Sequence, residues 1–332
     1  MKARTVLWPV APVILLGAVF AGSTGIAIDD IVRGLFGGSD PAAQAAWRTV
    51  VEFRIPVILQ AFCVGGLLSV SGAALQAVLQ NPLAEPYILG TSSGAAFGFS
   101  LAGAAGLAPF FWPRTLLSFV CALAASALVI ASGWRRGRGL SPLALILGGV
   151  VISAFLSAAT IAVQSLLTPF EFRNTIGLLL GGFRVLPAEE LFLTLVPALM
   201  AGLILMLRAP VLDILSTGIP AARSVGLAAG RELAGVVLLV TLITALTVPL
   251  AGIIGFVGLV APHLMRLGGR TRHARLLPAA FTAGGLMTVA ADALVRQASS
   301  LGQLPAGAVT AMLGAPVFIV LLRRYGGFHD RM

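Results

Sequence analysis

Apolar segments about 20 residues long recur along the whole of this chain, separated by short stretches that contain glycine, proline and arginine. A helix needs roughly 20 predominantly apolar residues to cross the hydrocarbon core of a bilayer. The composition agrees with such spans, because 58% of the 332 residues are hydrophobic, 10% are charged and the mean hydropathy is +1.01. The sequence therefore predicts an all-α, polytopic membrane protein rather than a set of soluble domains.

The spans are predicted by reading these segments between their helix breakers. We expect about ten transmembrane helices, in a single transmembrane domain that covers residues 1–332. They lie near residues 5–25, 55–80, 86–107, 113–133, 141–167, 190–208, 232–252, 256–268, 276–297 and 306–323. The eighth is too short to cross alone, so its helix should begin inside the protein, after Gly255, where irregular backbone is shielded from lipid.

The distribution of basic residues predicts the orientation. With both termini in the cytoplasm, 15 of the 22 Lys and Arg residues fall on the cytoplasmic side, as the positive-inside rule requires. These are Lys2, Arg4, Arg135, Arg136, Arg138, Arg208, Arg223, Arg231, Arg266, Arg270, Arg272, Arg275, Arg323, Arg324 and Arg331. They punctuate apolar segments and are not interleaved with exposed aromatic residues, so the net charge of +10 does not indicate nucleic-acid binding.

Catalytic motifs are missing from the sequence. Its only lysine is Lys2, so the chain has no phosphate-binding loop of the Walker A type, and any ATP hydrolysis must occur in a separate subunit. Three scattered histidines and two cysteines within apolar stretches do not suggest a metal site, a cofactor or an enzyme. Asp292 is the only acid deep in a predicted span, and Arg296 follows it at a spacing that permits a helical ion pair. A proton relay or a role in a transport path are the alternatives for Asp292.

Several segments carry a resemblance to a known family. They are RIPVILQAFCVGGLLSVSGAALQAVLQNPLAEPYILGTSSGAAFG from Arg54 to Gly98, LILGGVVISAFLSA at 145–158, GIIGFVGLVAPHLMRL at 252–267, LLPAAF at 276–281 and LPAGAVTAMLGAPVFIVLLRR at 304–324. Together they resemble the FecCD-type permeases of binding-protein-dependent ABC importers, which take up ferric siderophores, haem and vitamin B12. The resemblance implies the type II importer permease fold and import of a metal chelate across the bacterial inner (cytoplasmic) membrane.

The partners are also implied by the resemblance. They are a second copy of the chain, two copies of an ATP-binding cassette ATPase, and a periplasmic or lipid-anchored substrate-binding protein. The fifth and tenth spans and residues 168–189 are then candidates for the lining of a path at the two-fold axis. An ion-coupled secondary transporter that works without an ATPase, and a structural membrane-assembly subunit, are the alternative functions.

Three groups of site residues are implied by the same family. Asn81, Leu83, Ser141 and Pro142 match its cytoplasmic gate, although the prolines beside Asn81 also predict an ordinary turn. Residues 213–229 match its cytoplasmic coupling segment, with Gly218, Ala222, Arg223, Gly226 and Leu227 as the contacts to the ATPase, where the alternative is a plain basic loop. Arg54 and Arg296 match arginines that dock the binding protein, where the alternative is a long side chain at the end of a span.

Overall fold

The computed structural model describes residues 4–22, 28–36, 40–135, 139–298 and 304–329. Four of the basic residues predicted on the cytoplasmic side lie outside this part of the chain, namely Lys2, Arg136, Arg138 and Arg331. Residues 23–25 of the first predicted span also lie outside it.

The described chain is built almost entirely of helices. They are α1 (Arg4–Phe20), α2 (Ile28–Leu35), α3 (Pro41–Thr49), α4 (Ile55–Val78), α5 (Thr91–Ala104), α6 (Phe111–Gly133), α7 (Pro142–Gln164), α8 (Pro169–Leu179), α9 (Ala188–Leu207), α10 (Ala209–Leu215), α11 (Ile219–Ser224), α12 (Ala229–Ala251), α13 (Val257–Leu267), α14 (His273–Gln297) and α15 (Ala306–His329). A π-helical turn, Val50–Arg54, joins α3 to α4, and a 3-10 helix, Pro86–Leu89, precedes α5. The two-residue strands β1 (Trp134–Arg135) and β2 (Gly139–Leu140) pair in antiparallel fashion.

Six continuous helical stretches of the described residues are long and apolar enough to cross a membrane, judged by length and composition alone. They are Pro41–Val78, Phe111–Gly133, Pro142–Gln164, Ala188–Leu207, Ala229–Ala251 and His273–Gln297. Shorter apolar helices lie at Ala11–Phe20, Val257–Leu267 and Ala306–Val320. The predicted all-α, polytopic fold is confirmed.

One predicted boundary differs from the structure, and another agrees with it. The second span was expected near 55–80, but its helix continues backwards through the π-helical turn to Pro41 and is 38 residues long. Its first part includes Gln44 and Arg48, whose polarity hid the continuation in a reading based on apolar runs. The eighth predicted span corresponds to α13, which is 11 residues long and starts after Phe256. This start agrees with the expected helix that begins inside the protein.

Helix α4 forms the centre of the packed bundle. It is buried along almost its whole length, and α9, α12, α13 and α14 pack around it. A Cβ atom at Gly72 would lie only 1.9 Å from the carbonyl oxygen of Gly258, and one at Gly65 would lie 2.5 Å from that of Gly284. Glycines thus let α4 touch the backbones of α13 and α14, the close approach by which helices associate in lipid.

Candidate functional site

The predicted gate lies on two separate elements of the structure. After α4, the side chain of Asn81 accepts a hydrogen bond from the backbone N–H of Leu83 (2.9 Å), which folds the chain into a tight turn with Leu83 46% exposed. Ser141 and Pro142 begin α7, where the Ser141 hydroxyl caps the helix by accepting from the N–H of Ala144 (3.5 Å). The four residues therefore fix where one turn ends and one helix starts.

The turn that contains Asn81 and Leu83, called the gate turn after the predicted gate, is held by polar side chains that sequence reasoning missed. The Gln76 amide donates to the carbonyl oxygens of Ala84 and Gly258 (both 3.3 Å) and accepts from Arg266. Glu85 accepts a hydrogen bond from the backbone of Phe256, which lowers the pKa of its carboxyl group, although burial has the larger effect and raises that pKa. These bonds tie the turn to the start of α13.

Helix α7 meets the same region through a glycine. A Cβ atom at Gly149 would lie 1.9 Å from the carbonyl oxygen of Ile88, in the 3-10 helix that follows the gate turn. No side chain larger than hydrogen fits at this contact. The two parts of the predicted gate are thus connected through a close approach of backbone to backbone, and a glycine within an apolar helix gives little sequence signal of it.

The predicted coupling segment, residues 213–229, contains the end of α10 and all of α11. Gly218 has a φ of 107° and lets the chain reverse between the two helices. Ala222 is fully buried, whereas Arg223 and Gly226 are exposed and Leu227 is partly exposed. The backbone N–H of Leu227 bonds to the carbonyl oxygen of Ala222 (3.0 Å), which closes the turn after α11. The segment is therefore an ordered pair of short helices that exposes a basic residue.

Asp213 joins this segment to the N-terminus of α14. Its carboxylate accepts from the backbone N–H of His273 (2.9 Å) and contacts the Nδ1 atom of the same residue (2.6 Å). His273 is 4% exposed, and the residue before it, Arg272, offers no side-chain cap to the helix. Asp213 thus caps α14 across a gap of 60 residues, a contact for which the sequence carries no local signal.

Two further contacts fix the position of the same segment. The Gln80 amide, at the end of α4, donates to the carbonyl oxygen of Ser216 (3.3 Å). Arg208 and Glu232 form an ion pair (2.8 Å) that joins the end of α9 to the start of α12. The predicted coupling segment is consequently bonded to α4 as well as to α14.

The two predicted docking arginines lie close together at the start of α4 and near the end of α14. These are the opposite ends of the two helices from those that Gln80 and Asp213 hold. Arg54 is 6% exposed and donates to the carbonyl oxygen of Val19 (2.5 Å). Arg296 donates to the carbonyl oxygen of Ala21 (3.1 Å) and pairs with Asp292 (2.8 Å), which confirms the predicted helical ion pair. Both guanidinium groups therefore hold the C-terminal end of α1, where cations are favourable.

A junction of glycine backbones joins two of the elements predicted to line the path. The N–H of Gly182 donates to the carbonyl oxygen of Ala251 (2.8 Å), and the N–H of Gly307 donates to the carbonyl oxygen of Gly181 (3.5 Å). A Cβ atom at Gly307 would lie 2.3 Å from the carbonyl oxygen of Ile253. The irregular backbone after α8 is therefore satisfied by the end of α12 and the start of α15, as buried backbone in a membrane protein must be.

The geometry is that of a permease subunit of an ABC importer, with short helices bonded to the long spans and no nucleotide-binding motif in the sequence. The model of the FecCD transport family matches residues 10–324, and the chain belongs to that family. The match covers nearly the whole chain, so the family assignment applies to the bundle as a whole and not to one motif.

Characterised relatives agree with this assignment. The chain is 38% identical over 279 residues to the vitamin B12 import system permease protein BtuC of Klebsiella pneumoniae subsp. pneumoniae, covering 83% of this chain and 82% of that protein. It is 35% identical over 301 residues to the protein of the same name from Citrobacter koseri, covering 88% and 90%.

Solved structures agree with the fold. An inward-facing structure of a metal-chelate type ABC transporter superposes with a TM-score of 0.81 at 29% identity, covering 96% of this chain and 99% of that one. The PsaBC complex with a Fab, from Streptococcus pneumoniae, gives a TM-score of 0.56 at 16% identity, covering 89% and 95%, and shows a likeness of fold alone.

Proposed function

We propose that this chain is the translocation subunit of an ATP-driven importer that carries a metal-chelate nutrient across the bacterial inner membrane. The cargo class is a ferric siderophore, haem or cobalamin. It is supported by the family match and by relatives that are vitamin B12 import permeases. A separate ATPase subunit, present in two copies, hydrolyses ATP, and residues 1–332 form one permease domain.

The observation that carries this proposal is the coupling segment. It exposes Arg223 and Gly226, while Asp213 and Ser216 accept hydrogen bonds from His273 and Gln80, which attach its first part to α14 and α4. A surface that must follow the movement of a partner and transmit it to the bundle needs exposed residues for the contact and firm attachment to the spans. In this proposal Gly218, Arg223, Gly226 and Leu227 contact the ATPase, the buried Ala222 packs the coupling segment against the bundle, and both chain termini lie on the same cytoplasmic side.

The exposed faces of α7 and α15 support a homodimer with a path between the subunits. Phe155 is 70% exposed on α7, and Met312 is 74% exposed on α15. The glycine junction fixes the end of α8 beside α15. These surfaces are apolar and poor in charge, so a chelate would pass without being trapped. Asn81, Leu83, Ser141 and Pro142 would close this path at its cytoplasmic end.

The face that carries Arg54 and Arg296 is proposed to dock a periplasmic or lipid-anchored substrate-binding protein. Both side chains hold the end of α1, so their contribution to docking would be to shape this face and to give it positive charge. Charge on an interface of this kind acts mainly on orientation and on the rate of association.

The experiment that tests the function is uptake into proteoliposomes that contain this chain with its ATPase and binding protein. A labelled panel of ferric siderophores, haem and cobalamin is offered with and without ATP. Uptake of one cargo that requires both ATP and the binding protein is the expected result. Uptake that persists without the ATPase and collapses with the ion gradient would establish a secondary transporter instead.

A further inference from the structure

A small cavity lies where the chain leaves α8 and meets the end of α12. Its volume is about 200 Å³, and its apolar walls include Phe99, Phe183 and Leu250. Arg184 and the backbone of Gly252 supply the polar part of the lining. Pockets that hold a whole small molecule usually measure about 300–1,000 Å³, so this one suits a single substituent of a larger ligand.

Arg184 has no partner for its donors within the part of the chain that the structure describes. Its guanidinium group is partly buried, and it forms no hydrogen bond or ion pair there. Burial lowers the pKa of Arg184, and the nearby carboxylate of Glu190 raises it. An arginine carries five N–H donors in a rigid fork, so the guanidinium group of Arg184 has donors to offer to a ligand.

The charges around Arg184 favour an anion in this cavity. Arg114 is the second cation close enough to act on Arg184, and it is 8% exposed and bonded to the carbonyl oxygen of Ala108 (3.1 Å). Among the described residues, Glu190 is the acid that acts on both arginines. Two guanidinium groups against one carboxylate leave a net positive charge beside the cavity.

We propose that Arg184 and this cavity form a subsite for an anionic substituent, a carboxylate or a phosphate, of the metal chelate. The planar guanidinium fork matches both groups with two parallel hydrogen bonds. The apolar walls lower the local dielectric constant beside the guanidinium group, which strengthens those bonds. The subsite rests on the proposed importer function, and it lies in the segment 168–189 that is proposed to line the path.

Uptake of matched pairs of chelates tests this proposal. Cobalamin carries a phosphodiester and cobinamide lacks it; haem carries two propionates and its dimethyl ester carries none. With the member of the panel that the intact complex transports, Arg184→Ala should lower the initial uptake rate of the anionic form about tenfold and that of the neutral form less than twofold. Arg184→Lys should give an intermediate rate for the anionic form, because it keeps the charge and loses the fork.

Arg48→Ala is the matched control, since Arg48 is exposed on α3. It should leave both rates unchanged. Equal losses for the anionic and neutral forms in Arg184→Ala would overturn the subsite, and so would the absence of any loss. A complex of the unsubstituted chain that moves no chelate would instead overturn the proposed function.

A binding measurement separates the subsite from transport. Modification of Arg184 by phenylglyoxal is followed by mass spectrometry of the purified complex, with cobalamin, cobinamide, inorganic phosphate or vesicles of phosphatidylglycerol added. Protection by cobalamin and phosphate, without protection by cobinamide, supports the subsite even where transport fails. Protection by phosphatidylglycerol alone would assign the cavity to a lipid headgroup and overturn the proposal.

Discussion

Single residues in this protein act at contacts between elements far apart in the chain. Asp213 is the clearest case, because it supplies the cap that α14 does not obtain from Arg272. A carboxylate at a helix N-terminus accepts from a free N–H and also interacts favourably with the helix dipole. The stability of α14 should therefore depend on a residue that belongs to the proposed coupling segment.

Asp213→Ala is expected to lower the free energy of unfolding by about 1–2 kcal/mol, the usual cost of a lost cap. Asp213→Asn should lose less, since an amide oxygen still accepts from the N–H of His273. Denaturant unfolding in detergent micelles measures both. The control is Asp29→Ala, which removes an exposed ion pair with Arg33 and should change little. A loss as small as that of the control would show that Asp213 is not a cap in solution.

Glycine at position 72 is required by the contact with Gly258, and alanine there should disrupt the packing of α13 on α4. Overpacking of a core usually costs about 1–3 kcal/mol, and here the obstacle is backbone, which cannot rotate away. Gly17→Ala is the matched control, because a Cβ atom at Gly17 would meet nothing within 4 Å. The yield of folded protein on size-exclusion chromatography should fall for Gly72→Ala and hold for Gly17→Ala. Equal yields would contradict the contact.

At the scale of the elements, the lengths of the apolar segments predicted the long helices and also the short α13. They did not predict that residues 168–189 contain a helix, because α8 is short and mixes polar with apolar residues. The inward orientation of Arg54 was also missed, since charge alone gives no direction for a side chain. The hydrogen bonds of Asp213, Gln76 and Gln80 join positions far apart in sequence and depend on the packed bundle.

The start of α8 gives a prediction of pH dependence. The backbone N–H and the hydroxyl of Thr168 both bond to the Glu171 carboxylate (2.9 and 2.8 Å), and these bonds lower the pKa of Glu171. A lowered pKa means that the stabilisation is complete above the usual glutamate value of about 4.3 and is lost as pH falls through the lowered value. The start of α8 should therefore loosen only in acid.

Amide hydrogen exchange across residues 168–175, corrected for intrinsic rates, measures this effect between neutral and acidic pH. Protection in the unsubstituted chain should decline towards acidic pH, whereas Glu171→Gln should show weaker protection near neutrality and a flatter profile. Thr168→Ala should resemble Glu171→Gln, because it removes the hydroxyl from the same capping box. Parallel profiles for all three proteins would rule out the carboxylate as the cause.

For the whole molecule, α14 and α4 connect the two faces of the bundle. Helix α14 is 25 residues long, or about 37 Å at 1.5 Å per residue. Asp213 holds its first residue, and Arg296 near its end holds the carbonyl oxygen of Ala21 beside Arg54. Helix α4 packs along α14, and its residue Gln80 is bonded to the proposed coupling segment. The two helices therefore offer a continuous packed connection from the proposed docking face to the proposed ATPase contact.

This connection predicts energetic coupling between two distant residues. Asp213→Ala and Arg296→Ala should each reduce the stimulation of ATP hydrolysis by the binding protein in the reconstituted complex. If both act through α14, the double variant should be no worse than the more severe single variant, although distant and independent sites normally combine additively in free energy. Pairing Arg296→Ala with Arg33→Ala, which alters an exposed ion pair, provides the additive control. Full additivity of Asp213→Ala with Arg296→Ala would show that docking and coupling communicate by another route.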